Sequence, residues 1–249
     1  MGRWLGIGPR RIELACCRST NDEAAALGRQ GAVHGTVVLS QEQTAGRGRL
    51  ARRWHSPARE NLYLSCLLRP PLPPSAVPPI TLAAGIAVCD AVRSRGVVAV
   101  LKWPNDVLVG RRKISGILTE MNTRANAVEH AIVGVGVNLN STDFPSDLAD
   151  IATSIRIERG GRRVRRAPFV DRLLEELEQR FDQFFAGGVE VVAEAWTQRA
   201  ALGQVRVRSE DGLLEGRAVG LDRDGALLVE DSGGQRHRVV AGDVVLHPC

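Results

Sequence analysis

Apolar residues recur along most of this chain at the spacings of helices and strands. In residues 80–95 they return every three or four positions, and a similar stripe runs through residues 169–184, so both segments are predicted to be amphipathic helices. A period of two in residues 61–68 predicts a strand with one apolar face. A first helix is expected with Thr20 as its cap and Glu23 reaching back in a capping box. Helices are expected at residues 20–27, 80–95, 169–184 and 191–202, and strands at residues 35–40, 61–68, 97–101, 107–109, 116–121 and 131–139.

The pattern changes after Leu202, where short alternating strands replace the longer elements. Strands are expected at residues 205–208, 213–219, 226–230 and 236–240, separated by the tight-turn dipeptides Asp211-Gly212, Asp224-Gly225 and Gly233-Gly234. We therefore expect two domains, a larger α/β domain over residues 1–202 and a small β-barrel over residues 203–249.

Two segments of unusual composition are expected to be irregular. Residues 46–57 are rich in glycine and arginine and are expected to form a loop, and residues 70–79 contain six prolines and are expected to form a connector. The arginine-rich residues 156–166 are expected to form a solvated loop or hairpin, with nucleic-acid contact as the minority interpretation.

Composition places the chain among ordinary globular proteins. It has 249 residues, 44% of them hydrophobic, and a formal net charge of +5, which favours anionic ligands without naming them. Its five cysteines include no C-x-x-C pair and no metal-binding spacing, so they are expected to be reduced thiols. No stretch reaches the ~18 apolar residues of a membrane span, and the N-terminus lacks the features of a signal peptide. We therefore expect a cytoplasmic protein with no membrane partner.

Lysine is almost absent, and this gives the first indication of a site. The 33 basic residues include only two lysines, Lys102 and Lys113, on either side of Asn105 and Asp106. Arginine can replace a solvated lysine at little cost, but its planar guanidinium does not fit where a compact ammonium is required. The two lysines are therefore interpreted as parts of a functional site. The alternative is that they are chance remnants on a loop.

A second candidate is the glycine- and arginine-rich segment from Gly46 to Trp54. Glycine lets the backbone approach an anion, and Arg47, Arg49 and Arg52 supply bidentate donors, so the segment can hold a phosphate or a carboxylate. It lacks the G-x-x-x-x-G-K-[ST] pattern of the common phosphate loop. Taken alone, the segment is equally compatible with an RNA-binding Gly-Arg stretch or a flexible basic loop.

Polar residues at the ends of predicted elements complete the candidate site. Asn105 and Asp106 follow a buried strand, and Asp106 is a candidate ligand for Mg²⁺ beside phosphates. Ser19-Thr20-Asn21 stands at a helix N-terminus, where it is either a simple cap or a binding site for a small polar group. The two glycines of Gly134-Val135-Gly136-Val137-Asn138 lie on a core strand, which indicates either close approach by a ligand or tight strand packing.

In combination these segments resemble the biotin protein ligases, a family that adenylates biotin and transfers it to a lysine of a carrier domain. The resemblance covers essentially the whole chain, in family order and spacing. It implies a mixed sheet flanked by helices, related to the class II aminoacyl-tRNA synthetases, with an SH3-like barrel at the C-terminus. The matching segments are Ser19-Thr20-Asn21, Gln43-Thr44-Ala45-Gly46-Arg47-Gly48-Arg49, Trp54, Lys102-Trp103-Pro104-Asn105-Asp106, Lys113-Ile114-Ser115-Gly116-Ile117-Leu118 and Gly134-Val135-Gly136-Val137-Asn138.

The resemblance also implies a role for each site residue. Lys113 would lie against the biotin carboxylate and the α-phosphate of ATP, with Arg49 and Asp106 as the other catalytic residues and Asp106 on Mg²⁺. The biotin-binding residues implied are Ser19, Thr20, Asn21, Gln43, Gly46, Arg47, Gly48, Arg49, Lys113, Gly116 and Gly136. The residues implied for ATP and the adenylate are Arg47, Arg49, Arg52, Trp54, Asn105, Lys113 and Asn138.

Further expectations concern partners and departures from the family. The implied acceptor is a biotin carboxyl carrier domain, for example that of acetyl-CoA carboxylase, and a homodimer is expected. Some relatives carry an N-terminal helix-turn-helix that represses biotin genes. Because Ser19 comes so early in this sequence, no such domain and no DNA partner are expected. Ala51 stands where family members often have glycine, which would stiffen the loop slightly.

Two alternatives remain open at the level of sequence. A lipoate or octanoate ligase or transferase of the same superfamily would need an apolar slot without ureido partners, which the polar Ser19-Thr20-Asn21 and Gln43 disfavour. A nucleic-acid-binding module would use residues 46–53 and 156–166 and bind with strong salt dependence, but it leaves Lys113 unexplained.

Overall fold

A mixed sheet forms the centre of the larger domain in the computed structural model, which describes residues 3–209 and 212–247. Its seven strands are β1 (Arg11–Leu14), β2 (Thr36–Ser40), β3 (Leu62–Leu68), β4 (Val100–Lys102), β5 (Asp106–Val109), β6 (Arg112–Arg124) and β7 (Ala127–Val137). They lie in the order β1, β2, β3, β7, β6, β5, β4. The pair β1 and β2 is parallel, and every other neighbouring pair is antiparallel.

Helices cover the sheet and supply much of the core. They are α1 (Thr20–Arg29), α2 (Ile80–Arg93), α3 (Ile155–Glu158) and α4 (Arg166–Thr197). The two longest, α2 and α4, pack on each other, and the predicted apolar stripe on α4 is buried from Phe169 to Phe184. The sequence pattern indicated two helices broken at Gly187-Gly188, and α4 does depart from helical geometry at Gly188, where φ is 66°. The two predicted helices are therefore one element with a kink at a glycine.

The apolar character of α2 exceeds what the sequence analysis expected. The segment Pro74–Arg93 is long and apolar enough to cross a membrane by length and composition alone. However, 67% of its most apolar window is buried inside the protein, and within α2 itself 11 of 14 residues are buried. We therefore interpret this segment as a core helix.

The register of β5, β6 and β7 places candidate residues in one row across the sheet. Asp106 pairs with Gly116, and Gly116 pairs with Gly136, so the three share one face. Further along β5 the register shifts by one residue, so that Lys113 pairs with Leu108. The extra residue turns Lys113 to the face of Asp106, whereas a regular strand would point residues 113 and 116 to opposite faces.

The C-terminal residues form a separate antiparallel sheet of five strands. These are β8 (Gln204–Ser209), β9 (Gly212–Leu221), β10 (Leu227–Glu230), β11 (Arg236–Val239) and β12 (Asp243–Leu246), in the order β11, β10, β9, β8, β12. Four of them confirm the predicted strands, whereas β12, in which Val245 remains half exposed, was not predicted. The predicted turn at Asp211-Gly212 lies partly outside the described residues.

The predicted cap of α1 was wrong by one residue. Ser19, not Thr20, has the extended backbone of the cap position, and no side chain there completes the capping box with Glu23. The reason is that the Thr20 hydroxyl faces Gln43 and Ser65 and is not available to the helix end.

The hairpin considered for residues 156–166 was also wrong. The segment starts within the short helix α3, because the hydroxyl of Ser154 accepts a hydrogen bond from the backbone N–H of Ile157 and caps a helical turn. The chain then passes through a turn and enters α4 at Arg166.

Candidate active site

A cavity of about 550 Å³ is lined by residues of both domains. Its walls come from the N-terminus of α1, residues 46–54 (the Gly-Arg loop), residues 102–106, strands β6 and β7, and the short strand β12. Every site residue predicted from the sequence lines this cavity except Gly46. Gly46 lies at the base of the loop, where a Cβ would come within 2.6 Å of Ser56 Oγ. The residues predicted from the sequence therefore lie together around one cavity, and their roles stay predictions.

One end of the cavity is a buried polar cluster. The backbone N–H and the hydroxyl of Thr20 lie 2.8 and 3.2 Å from Oε1 of Gln43. Oγ of Ser65 lies 2.7 Å from Thr20 Oγ1 and 2.6 Å from Asn21 Oδ1. Ser19, Thr20 and Asn21 are all at least 96% buried. These groups form a preorganised set of donors and acceptors for a small polar head group.

Ser65 was missed by the sequence analysis. It lies on β3, is fully buried, and faces away from the apolar stripe formed by Leu64 and its neighbours at a spacing of two. A hydroxyl in the middle of an otherwise bulky strand was the available signal, because a buried hydroxyl requires a hydrogen-bond partner.

Arg47, the first arginine of the Gly-Arg loop, pairs with two carboxylates. Its guanidinium lies 2.7 Å from Asp22 Oδ1 and 3.0 Å from Glu120 Oε1. The hydrogen bonds that this guanidinium donates to Asp22, and to a lesser extent to Glu120, raise the pKa of Arg47. Contact of Arg47 with a phosphate stays a prediction, but in this structure its donors are used to attach the loop to α1 and β6.

At the other end of the cavity, both lysines share one carboxylate. Oδ1 of Asp106 lies 2.5 Å from Nζ of Lys113, and Oδ2 lies 3.0 Å from Nζ of Lys102. The Asp106 side chain is only 12% exposed. Burial acts to raise the pKa of Asp106, but the two ammonium groups outweigh burial and hold that pKa below its usual range. Asp106 is therefore ionised and holds Lys113 within the cavity.

These contacts bear on the Mg²⁺ ligand expected at Asp106. Both carboxylate oxygens already contact ammonium groups. Within residues 3–209 and 212–247, no group of three or more His, Cys, Asp or Glu residues could hold a metal ion. Mg²⁺ demands nearly octahedral oxygen coordination. The residues of this cavity therefore do not fit a metal site of their own, and Asp106 acts on the lysines.

Trp54 packs directly on the glycines of the sheet. A Cβ at Gly136 would lie 2.5 Å from Trp54 Nε1, and one at Gly116 would lie 3.2 Å from Trp54 Cζ3. Nζ of Lys113 is 5.4 Å from the centroid of the indole ring. The buried Nε1 has no hydrogen-bond partner in the part of the chain that the structure describes. The side chain of Trp54 therefore explains why glycine occupies these positions, and close approach by a ligand stays a prediction.

Two other loop arginines, Arg49 and Arg52, contact the C-terminal domain. Nη1 of Arg49 donates to the carbonyl oxygen of Gly242 at 3.3 Å, and Arg52 forms an ion pair with Asp243 at the start of β12. Between them the backbone is left-handed at Leu50 and Ala51, with φ of 54° and 58°. Glycine would adopt this conformation without strain, which gives the expected stiffness at Ala51 a physical cause.

The amide groups of Asn105 and Asn138 are used to hold the backbone. Nδ2 of Asn105 donates to the carbonyl oxygen of Ile117 at 2.8 Å, and Nδ2 of Asn138 donates to that of Thr153 at 3.0 Å. Both residues line the cavity, so contact with an adenylate stays a prediction. In this structure they fix the strands on which the glycines and Lys113 lie.

Two protein-family models match this chain. The biotin/lipoate A/B protein ligase family matches residues 14–138, which contain the polar cluster, the Gly-Arg loop and both lysines. The chain belongs to the biotin/lipoate A/B protein ligase family. The biotin protein ligase C terminal domain matches residues 204–247, which form the second sheet. The protein is therefore a ligase.

Three similar proteins match this chain over at least 90% of their own length. The biotin--[acetyl-CoA-carboxylase] ligase of Mycobacterium tuberculosis is 37% identical over 251 residues, which cover 96% of this chain and 90% of that protein. The corresponding ligase of Paracoccus denitrificans is 33% identical over 90% of this chain and 95% of its own length. A solved biotin protein ligase from Aquifex aeolicus in complex with biotin and ATP matches 96% of this chain and 98% of its own, with a TM-score of 0.82 and 27% identity. The large mixed sheet with a C-terminal antiparallel sheet is thus the fold of biotin ligases.

Proposed function

We propose that this ligase uses ATP to activate biotin as biotinyl-5′-AMP and then transfers the biotinyl group to a lysine of a biotin carboxyl carrier domain. The observation that carries the proposal is a single cavity with a buried polar cluster at one end and Lys113, held by Asp106, at the other. Biotin has a ureido ring and a carboxylate at its two ends. The similar ligases that are named for acetyl-CoA carboxylase or solved with biotin and ATP support the same assignment.

The glycines of β7 mark the two ends of the ligand site. A side chain at Gly134 would collide with Asn21, and one at Gly136 would collide with Trp54. Two residues along a strand correspond to about 7 Å. A ligand whose polar ring and carboxylate are joined by a short alkyl chain fits this separation.

In the first half-reaction, a biotin carboxylate oxygen attacks the α-phosphorus of ATP. A new P–O bond forms, and the bond from the α-phosphorus to the bridging oxygen breaks as pyrophosphate leaves. Because two anions must meet, orientation and charge neutralisation are the main requirements. Lys113 supplies a compact positive charge, and Arg49 and Arg52 supply guanidinium groups on the loop that lines the cavity. The reaction needs no nucleophile from the enzyme.

In the second half-reaction, the amine of the carrier lysine attacks the carbonyl carbon of the mixed anhydride. An amide bond forms, the C–O bond to the phosphate breaks, and AMP leaves with that electron pair. Between the two steps the adenylate must be kept from water and from other amines. We assign this role to Trp54 and Arg49, which belong to a loop attached to both domains.

Magnesium is proposed as the counter-ion of the ATP phosphates. Mg²⁺ retains several water ligands and is commonly held by substrate phosphates with only one or two carboxylates. Because the Asp106 oxygens already contact Lys102 and Lys113, we assign no protein ligand to it.

The experiment that tests the proposed function is exchange of labelled pyrophosphate into ATP, with biotin or lipoate and without any carrier protein. We expect exchange with biotin and Mg²⁺, because activation requires only the cavity. Lipoate has no ureido group with which Thr20, Asn21, Gln43 and Ser65 can form hydrogen bonds, so its apolar ring is expected to bind less favourably beside this buried polar cluster. Exchange supported by lipoate and not by biotin would overturn the proposal.

Several finer assignments belong to the same proposal. The larger domain, residues 1–202, is proposed to be related to the class II aminoacyl-tRNA synthetases, which its mixed sheet supports. Residues 203–249 are proposed to form an SH3-like barrel, which five short antiparallel strands support.

We also propose a cytoplasmic location, which the free thiols of Cys16, Cys17, Cys66 and Cys89 support. A homodimer is proposed on family resemblance alone, and light scattering with and without the adenylate tests it.

A further inference from the structure

A continuous series of polar contacts joins the Gly-Arg loop to the buried polar cluster. Arg47 on the loop contacts Glu120 on β6 at 3.0 Å, and Oε2 of Glu120 accepts a hydrogen bond from Nδ2 of Asn21 at 2.6 Å. Oδ1 of Asn21 in turn lies 2.6 Å from Oγ of Ser65. Arg47 also contacts Asp22 at 2.7 Å, but no hydrogen bond links Asp22 to the Asn21 amide among the described residues.

Glu120 determines which way the amide of Asn21 faces. A carboxylate accepts hydrogen bonds and donates none, so it must face the NH₂ group of Asn21. The carbonyl oxygen of Leu118, 3.3 Å from the same Nδ2, acts in the same direction. Oδ1 of Asn21 is therefore directed toward Ser65 and over Gly134, where a Cβ would collide with it. The acceptor that the polar cluster offers to a ligand thus depends on the carboxylate behind it.

The same carboxylate holds the loop. The Arg47 and Glu120 side chains are 37% and 42% exposed, so their ion pair is screened and weak by itself. Asn21 is 96% buried and can change orientation only by breaking its bonds to Glu120 and Ser65. A ligand that fixes Asn21 therefore also fixes Glu120, and through it the first arginine of the loop.

We propose that Glu120 is a positioning residue that couples recognition of the biotin ureido ring at Asn21 to its own contact with Arg47 on the Gly-Arg loop. This inference rests on the proposed function, because it takes the polar cluster as the ureido site. Binding of biotin at Asn21 favours the contact between Glu120 and Arg47, and that contact in turn raises the affinity for biotin. The two effects are equal in size because coupling between binding events is reciprocal.

Glu120→Gln is the informative variant. Glutamine removes the negative charge and replaces one carboxylate oxygen with a donor, so its single oxygen must serve both Asn21 and Arg47, which share two oxygens in the wild type. Asp22→Asn is the matched control, because it also removes a carboxylate from Arg47 but leaves the Asn21 amide untouched. In pyrophosphate exchange we expect the KM for biotin to rise about tenfold in Glu120→Gln with kcat changed less than about twofold, whereas Asp22→Asn leaves that KM within about twofold.

The coupling itself is measured by calorimetry of biotin binding with and without a non-hydrolysable ATP analogue. The wild type is expected to bind biotin more tightly with the analogue, and Glu120→Gln is expected to lose most of that gain. If Glu120 has only a structural role, Glu120→Gln and Asp22→Asn should instead show similar decreases in melting temperature and in kcat. The coupling is overturned if the ATP analogue raises the affinity for biotin as much in Glu120→Gln as in the wild type. It is also overturned if Asp22→Asn loses as much of this increase as Glu120→Gln does.

Thr20→Val separates this inference from the function on which it rests. If Thr20→Val raises the KM for biotin while Glu120→Gln leaves both KM and coupling unchanged, only the role of Glu120 is overturned. If Thr20→Val leaves the KM unchanged, the ureido site itself is misplaced and the inference is overturned with it.

Discussion

A one-residue shift in the β5–β6 register brings Nζ of Lys113 to 2.5 Å from Oδ1 of Asp106. Without that shift, residues 113 and 116 would point to opposite faces of the sheet, and Lys113 would face away from the glycines that line the cavity. The bulge thus places the only ammonium group that the proposed adenylation uses. Gly116 leaves room for it, since a Cβ there would lie 3.1 Å from Nζ.

Replacing Asp106 with asparagine should destabilise the fold in a pH-dependent way. At pH 7 the variant leaves two largely buried ammonium groups without a counter-charge, and we expect a loss of about 1 to 3 kcal/mol in the free energy of unfolding. The folded pKa of Asp106 lies below the unfolded one, so its contribution is complete above about pH 4 and is lost as the pH falls through the folded pKa. Urea unfolding at pH 7 and pH 3 measures this. If the free energy of unfolding differs between wild type and variant by the same amount at pH 7 and pH 3, the interpretation is contradicted.

Gly136→Ala should displace Trp54 from the sheet. The new Cβ would lie 2.5 Å from Trp54 Nε1, and overpacking of this kind costs about 1 to 3 kcal/mol. We expect faster loss of bound adenylate and a lower melting temperature. Gly116→Ala is the matched control, because its nearest neighbours are the flexible end of Lys113 at 3.1 Å and the indole at 3.2 Å. Equal effects of the two alanines on stability would argue against the specific contact between Trp54 and Gly136.

Arg49→Ala should release the adenylate prematurely. The substitution removes both a guanidinium near the proposed phosphate site and the hydrogen bond to Gly242, while the polar cluster is unaffected. We expect biotinylation of bystander lysines, detected with labelled streptavidin on a mixture of unrelated proteins. Arg162→Ala, on an exposed turn outside the cavity, serves as the control. Retention of the adenylate at the wild-type rate, with no stray biotinylation, would remove Arg49 from this role.

Much of the fold and of the site could be predicted because the signals are local. The apolar periods of α2 and α4 determine which faces are buried, and the rarity of lysine identified Lys102 and Lys113 without any contact information. For Gly136 the sequence indicated close approach by a ligand or tight strand packing, but not that the neighbour is the side chain of Trp54.

The features that were missed depend on contacts between distant segments. Ser65 and Glu120 lie on strands whose patterns indicate only burial or exposure, and their partners lie 44 and 99 residues away in the chain. The bulge that turns Lys113 follows from pairing with β5 and cannot be read from β6 alone. The ion pairs of Arg47 were missed for the same reason, because Asp22 and Glu120 meet it only in the folded chain.

Lys113→Arg, assayed by biotin-dependent exchange of labelled pyrophosphate into ATP, tests the central claim most directly. The substitution keeps the charge, so it distinguishes a requirement for a compact ammonium beside Asp106 from a requirement for positive charge alone. We predict that exchange falls at least about tenfold, equivalent to about 1.4 kcal/mol in the barrier, and that Lys102→Arg, on the other oxygen of the same carboxylate, has a smaller effect. Full exchange activity in Lys113→Arg would contradict the assignment of Lys113 to the reacting carboxylate and α-phosphate.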